Sequence, residues 1–216
     1  MEKYSYREIA KLFREPLENI TKVCQDIEVN AIVRYDKWTL LHVASAQNRP
    51  DVTEYLISMG NDVNALDKEG KSPLYYCRSE EAAKMLLNAG AEVNHRSILG
   101  KTPLQHACIS NASPEAVKVL LQSGARVNAE DNFGDTPFLY ACGMAYGCID
   151  EEEYAENLPK INILIEHGAD VHHTNSKGEN GLHICSSYRA YEIAEVLLKL
   201  GVIVNTLNKK HQTPLM

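Results

Sequence analysis

The chain reads as an all-α solenoid of stacked helix-turn-helix units joined by short hairpin-like tips, and three recurrences predict this. A Thr/Ser-Pro-Leu phrase stands at Ser72-Pro73-Leu74, Thr102-Pro103-Leu104 and Thr213-Pro214-Leu215, with Thr136-Pro137-Phe138 as a variant. A Val-Asn or Val-His pair recurs with its second residue at 30, 64, 94, 128, 172 and 205, spacings of 34, 30, 34, 44 and 33 residues. Gly60, Gly90, Gly124, Gly168 and Gly201 each precede one of these pairs. Self-similarity at such a period marks an array whose units bury their apolar faces only against their neighbours.

The unit at 97–130 shows the local logic. Thr102-Pro103 opens a helix, since a Thr oxygen caps a free N–H and Pro at the first position sacrifices none. Leu104, Ala107 and Cys108 then share one face. Asn111-Ala112-Ser113-Pro114 breaks that helix and starts another with Ser113 as cap, and Val117, Leu120 and Leu121 recur at helical spacing. Gly124 ends it in the left-handed conformation. Asp131-Asn132-Phe133-Gly134 has the residue types of a tight turn. On this pattern one domain covers 1–216: a degenerate cap at 1–33, repeats at 34–66, 67–96, 97–130, 131–174 and 175–207, and the start of a further repeat at 208–216.

Departures from the period carry information. The cap predicts helices from Tyr6 to Arg14 and from Leu17 to about Asp26, split at Pro16. The second unit is three residues short between Ser72 and Gly90, which predicts a trimmed inter-helix turn. The fourth is eleven residues long between Thr136 and Gly168, and Pro50 and Pro159 are placed where Pro114 stands. The fifth replaces Thr-Pro by Asn180-Gly181. The first has Leu40 in place of Pro and Lys37 where the turn Gly belongs. The closing QTPLM is a helix start with no helix after it, so the chain is expected to be cut from a longer array or to self-associate through its uncapped last repeat.

Composition narrows the function classes. A net charge of −7 without a Lys/Arg-rich run argues against nucleic acid and anionic membrane surfaces. The N-terminus is too charged for a secretory leader, and no apolar run is long enough to span a bilayer, so a cytoplasmic location is the expectation, with the nucleus or delivery into a host cell left open. Cys24, Cys77, Cys108, Cys142, Cys148 and Cys185 include no Cys-x-x-Cys and are read as reduced. Cys77 and Cys185 fall in the slot of Ala44, Ala107 and Ala141, which tight packing explains. No phosphate loop, HExxH or GxSxG is present, so neither a catalytic residue nor a cofactor is expected. A metal at His167, His172 and His173 is disfavoured, because adjacent loop side chains diverge and no Cys or carboxylate is spaced to complete a site.

TPLQHA (102–107), WTLLHVA (38–44) and SPLYYC (72–77), paired with LLxxGAxVN, resemble the ankyrin repeat over roughly residues 18–216. The resemblance implies a protein partner held in a concave groove of turn tips and first helices. It implies a structural hydrogen-bonding role for His42 and His183, and it marks Asn64 and Asn128 as candidates for asparaginyl hydroxylation. The tip and groove positions then become the candidate contacts: Tyr35, Trp38, Lys68, Glu69, Lys71, Ile98, Leu99, Lys101, Asn132, Phe133 and Asp135, with Met144 and Tyr188 on first helices. Trp38, Ile98, Leu99 and Phe133 stand out because tips are ordinarily polar and apolar patches mark interfaces. The acidic insert, with Tyr146, Glu151, Glu152 and Tyr154, reads either as a solvated extension or as a second contact for a basic partner. A protein-interaction module is the resulting expectation. Its alternatives are a regulatory or substrate-recruiting segment of a larger protein (a ubiquitin-ligase adaptor, a channel or a microbial effector) and, more distantly, an enzyme or metal-binding protein.

Overall fold

The computed structural model describes residues 6–25, 30–33, 36–143, 157–188 and 190–215. Among them lie α1 (Tyr6–Leu12), α2 (Leu17–Cys24), α3 (Leu40–Ala46), α4 (Pro50–Ser58), a 3-10 turn (Pro73–Tyr76), α5 (Glu80–Asn88), α6 (Pro103–Ile109), α7 (Pro114–Gln122), α8 (Pro137–Cys142), α9 (Asn157–Glu166), α10 (Gly181–Tyr188) and α11 (Tyr191–Lys199). Extended backbone among these residues pairs only at the single bridge Ile32–Thr39.

The helices stack in two columns. One runs α3, the 3-10 turn, α6, α8 and α10; the other runs α2, α4, α5, α7 and α9. A single apolar core threads both, from Ile9 and Phe13 through Leu41, Leu74, Leu104 and Phe138 to Leu182 and Leu197. Such short helices are marginal alone, and the core supplies what propensity cannot. Their starts are nevertheless encoded locally. Thr102 Oγ1 accepts the Gln105 amide at 3.3 Å, Ser113 Oγ that of Ala116 at 3.1 Å, and Thr136 Oγ1 that of Leu139 at 3.3 Å.

Two register details differ from the sequence expectation. The short second unit loses its residues from the first helix, which shrinks to one 3-10 turn, while Ser79 still caps α5. Pro159 is the third residue of α9, one place later than Pro50 and Pro114 when counted back from the following Gly. Lys160 consequently falls in the slot of Val52, Ala82 and Ala116. It is buried, and its ammonium donates to the Ser110 carbonyl at 2.7 Å, beside the C-terminus of α6.

The tips are joined by one backbone hydrogen bond per interval. Lys68 N donates to Asp36 O at 2.8 Å, Ile98 N to Glu69 O at 2.9 Å, Asn132 N to Leu99 O at 3.1 Å, Ser176 N to Phe133 O at 2.9 Å and Lys209 N to Lys177 O at 2.9 Å. The turn that permits this needs a positive φ before each first helix. Gly134 supplies it at +73°, and an added Cβ would meet Ser176 N at 2.9 Å. Lys37 adopts +66° at the equivalent place without being Gly.

A left-handed non-Gly residue costs about 1–2 kcal/mol. Lys37→Gly should therefore raise unfolding stability by about 1 kcal/mol, whereas Gly134→Ala should lower it by more than about 1 kcal/mol. Urea unfolding of both variants checks the pair of signs.

Candidate functional site

Above the backbone ladder runs a second set of links made by side chains. In four of the five units the fourth residue of the Thr-Pro-Leu-like phrase reaches the carbonyl two residues before the next phrase's Pro. His42 Nε2 meets Lys71 O at 3.1 Å, Tyr75 Oη donates to Lys101 O at 2.8 Å, Gln105 Nε2 to Asp135 O at 2.6 Å, and His183 Nε2 meets Gln212 O at 3.1 Å. The Thr39 amide donates to His42 Nδ1 at 3.1 Å, so Nε2 carries the proton that reaches Lys71. Burial pulls the His42 pKa down and favours this neutral form. The structural role implied for His42 and His183 is thus visible as geometry. Leu139 occupies the same slot and has no donor.

A third set links the loops after the second helices. Asn64 donates to Gly90 O at 3.0 Å and accepts the Glu92 amide at 2.9 Å; Asn94 does the same with Gly124 and Arg126, and Asn128 with Gly168 and Asp170. Both ends of each carboxamide are engaged, which explains why this slot calls for Asn. His173 Nε2 meets Gly134 O at 2.8 Å, as His95 Nε2 meets Gly70 O at 3.0 Å, so each ring ties the end of a unit back to that unit's own tip. His167 Nδ1 meets Ile163 O at 2.8 Å within its own helix. Among the described residues no three His, Cys, Asp or Glu side chains gather as metal ligands. Cys24, Cys77, Cys108, Cys142 and Cys185 are buried free thiols, and burial pushes Cys77 and Cys108 up to about 12.

The candidate contacts separate into two groups on this scaffold. Ile98, Leu99 and Phe133 are 68%, 48% and 50% exposed, on adjacent tips held by the ladder. Asn132 is exposed too, and its carboxamide donates to Ile98 O at 3.1 Å, fixing one tip on the next. Trp38 behaves differently from the expectation. It is 8% exposed, with its ring 4.6 Å from that of Tyr76 and 6.0 Å from His42. Its position corresponds to Lys71 and Lys101, one residue after the positive-φ turn residue, and Trp38 and Lys101 there lie against the next unit's first helical segment, on Tyr76 and Tyr140. Trp38 is core, not an interface anchor. Asp135 is likewise occupied, accepting from Asn175 Nδ2 at 2.9 Å, and burial raises its pKa. Tyr35, Met144, Tyr146, Glu151, Glu152 and Tyr154 lie outside the described residues, as does the side chain of Tyr188.

Between the second and third tips opens a recess of about 380 Å³ lined by Lys68, Glu69, Lys71, Ile98, Leu99 and Lys101, with Ser97, His106 and Ile109 behind them. Lys71 Nζ pairs with Glu69 at 2.6 Å, and Lys101 Nζ stands 4.5 Å from the Tyr140 ring centroid. Burial, then the charges of Lys71 and Lys101, hold the His106 pKa down at about 4. His106 and Ile109 line the recess although nothing in the repeat pattern singles them out.

Family models described as ankyrin repeats match residues 4–97, 79–151 and 164–216. The chain belongs to the ankyrin-repeat family. It is 30% identical over 185 residues to an ankyrin repeat protein of fowlpox virus, covering 83% of this chain and 41% of that one. It is 39% identical over 79 residues to human ankyrin repeat and SOCS box protein 6, covering 34% and 19%. Similarity to the Drosophila melanogaster transient receptor potential cation channel subfamily A member 1 is 34% over 110 residues, covering 48% and 8%. The chain spans less than half the length of each of these relatives. Ankyrin repeats are generally protein-interaction modules, and no helix among the described residues is long and apolar enough to cross a membrane.

Truncating a buried Trp costs about 3–5 kcal/mol. Trp38→Ala should lose stability on that scale, visible as a lower urea midpoint. Unchanged stability would return Trp38 to the surface.

Proposed function

We propose that this ankyrin-repeat chain binds a partner protein through the surface formed by its tips and first helices, with Ile98, Leu99 and Phe133 as the apolar centre. The observation that carries this reading is the exposure of three large apolar side chains on adjacent tips whose backbones are already fixed to one another. An apolar patch on a soluble domain favours association, and a rigid patch spends little ordering entropy when it is covered. Lys68, Glu69, Lys71, Lys101 and Asn132 form the polar rim that orients the partner. Hydroxylation of Asn64 or Asn128 would modify the loop rungs, away from this surface.

A second reading places the same surface in a recruiting role inside a larger protein. Its support is the relatives, in which the similar stretch is a fraction of a chain named for a SOCS box or a cation channel. Partner recognition is common to both readings.

The test is capture of partners by the wild-type domain and by an Ile98→Ser/Phe133→Ser double variant. The variant should recover at least tenfold less of a partner seen with wild type, while its helical circular dichroism stays unchanged and its stability shifts by less than about 0.5 kcal/mol per exposed site. Equal recovery by both proteins would contradict the reading.

A further inference from the structure

We propose that the recess between the second and third tips is a subsite for an acidic peptide segment of the partner, its carboxylate received by Lys71 and Lys101 and an adjoining apolar side chain covering Ile98, Leu99 and Ile109. The inference rests on the partner-binding reading above and gives that partner a chemistry.

Charge is the first argument. The whole chain carries −7, yet the recess is lined by three lysines and one carboxylate, Glu69. That carboxylate pairs with Lys71 while its own side chain stays 67% exposed, so it can swing away as a peptide enters. Lys101 is half-buried, and its desolvation together with repulsion from Lys71 disfavours its charged form against the pull of Asp131 and Asp135. Neither of those aspartates is available to enter the recess. Asp131 holds the Tyr140 hydroxyl at 2.5 Å and the Phe133 and Asp135 amides, and Asp135 holds Asn175. An incoming carboxylate relieves the repulsion between the lysines.

Hydrogen-bonding capacity behind the recess points the same way, independently of charge. Ser97 Oγ and His106 Nδ1, both behind the recess, are buried polar atoms with no hydrogen-bond partner among the described residues. Buried polar atoms are nearly always paired, so these two have hydrogen-bonding capacity left for a water or for a group entering the recess. Burial favours neutral His106, whose unprotonated ring nitrogen is an acceptor. A peptide offers the complement of both atoms, an amide N–H for His106 and a carbonyl for the Ser97 hydroxyl. The volume of about 380 Å³ suits a few side chains rather than a folded domain.

Fluorescence anisotropy with a labelled peptide of three Glu-Glu-Leu repeats, beside its Gln-Gln-Leu counterpart, tests the assignment. The acidic peptide should bind the 216-residue chain at least tenfold more tightly than the neutral one, and more weakly as salt rises. Lys71→Gln/Lys101→Gln should cut that affinity roughly tenfold, with Lys71→Arg/Lys101→Arg restoring most of it and all variants keeping wild-type urea midpoints. Amide NMR shifts on titration should centre on 69–71 and 97–109. Equal binding of both peptides, or shifts centred elsewhere, would overturn the subsite. A captured partner lost with Ile98→Ser/Phe133→Ser but retained by Lys71→Gln/Lys101→Gln would overturn the acidic assignment alone and leave the partner-binding surface standing.

Discussion

Everything in this fold depends on the hydrogen bond that one tip donates to the tip before it. A helix pair of seven plus nine residues has too little core to stand alone, so stability comes from the interfaces between units. Those interfaces need a fixed register, and the run from Lys68–Asp36 to Lys209–Lys177 sets it one bond at a time. Each bond contributes only about 0.5–1.5 kcal/mol net. Its larger effect is positional. It brings the carbonyls of Lys71, Lys101 and Asp135 within reach of His42, Tyr75 and Gln105.

Three chemically different side chains serve that one slot because the requirement is a donor at the right reach, not a ring. Leu139 meets no such requirement and is retained as core, with the Asn128 rung and the Ser176–Phe133 backbone bond still linking its unit to its neighbours. The interval around the long fourth unit also gains Lys160, whose buried ammonium reaches back to the end of α6. Burying an ammonium is costly unless carbonyls receive it, and Ser110 with Ala107 provides them.

Most of the scaffold was legible because it is written in local backbone chemistry. Thr or Ser before Pro, Gly after the second helix and Asn in the loop each answer a need that recurs in every unit. The surface was legible only in part. Ile98, Leu99 and Phe133 lie on the outward side of their turns, where a tip position really is exposed. Trp38 sits one residue after the positive-φ position, and there the ladder turns the side chain along the next helix, against Tyr76. Spacing alone does not separate these two cases. The 3-10 turn at Pro73–Tyr76 was equally hidden, since a deletion between two markers does not say which side of the turn it shortens. His106 and Lys160 needed the stack itself, because their environments are built by neighbouring units.

The rigid tips matter for recognition because a prearranged apolar edge beside a lysine-lined recess can be covered without first being ordered. The claim that the tip ladder is the organising constraint is tested most directly by native-state hydrogen exchange of the amides of Lys68, Ile98, Asn132, Ser176 and Lys209. These groups sit at exposed tips, where local fraying would let them exchange quickly. If the ladder organises the stack, they exchange slowly and together, at the free energy of the core amides of α6 and α7. Rapid exchange of the tip amides beneath a protected helical core would contradict it.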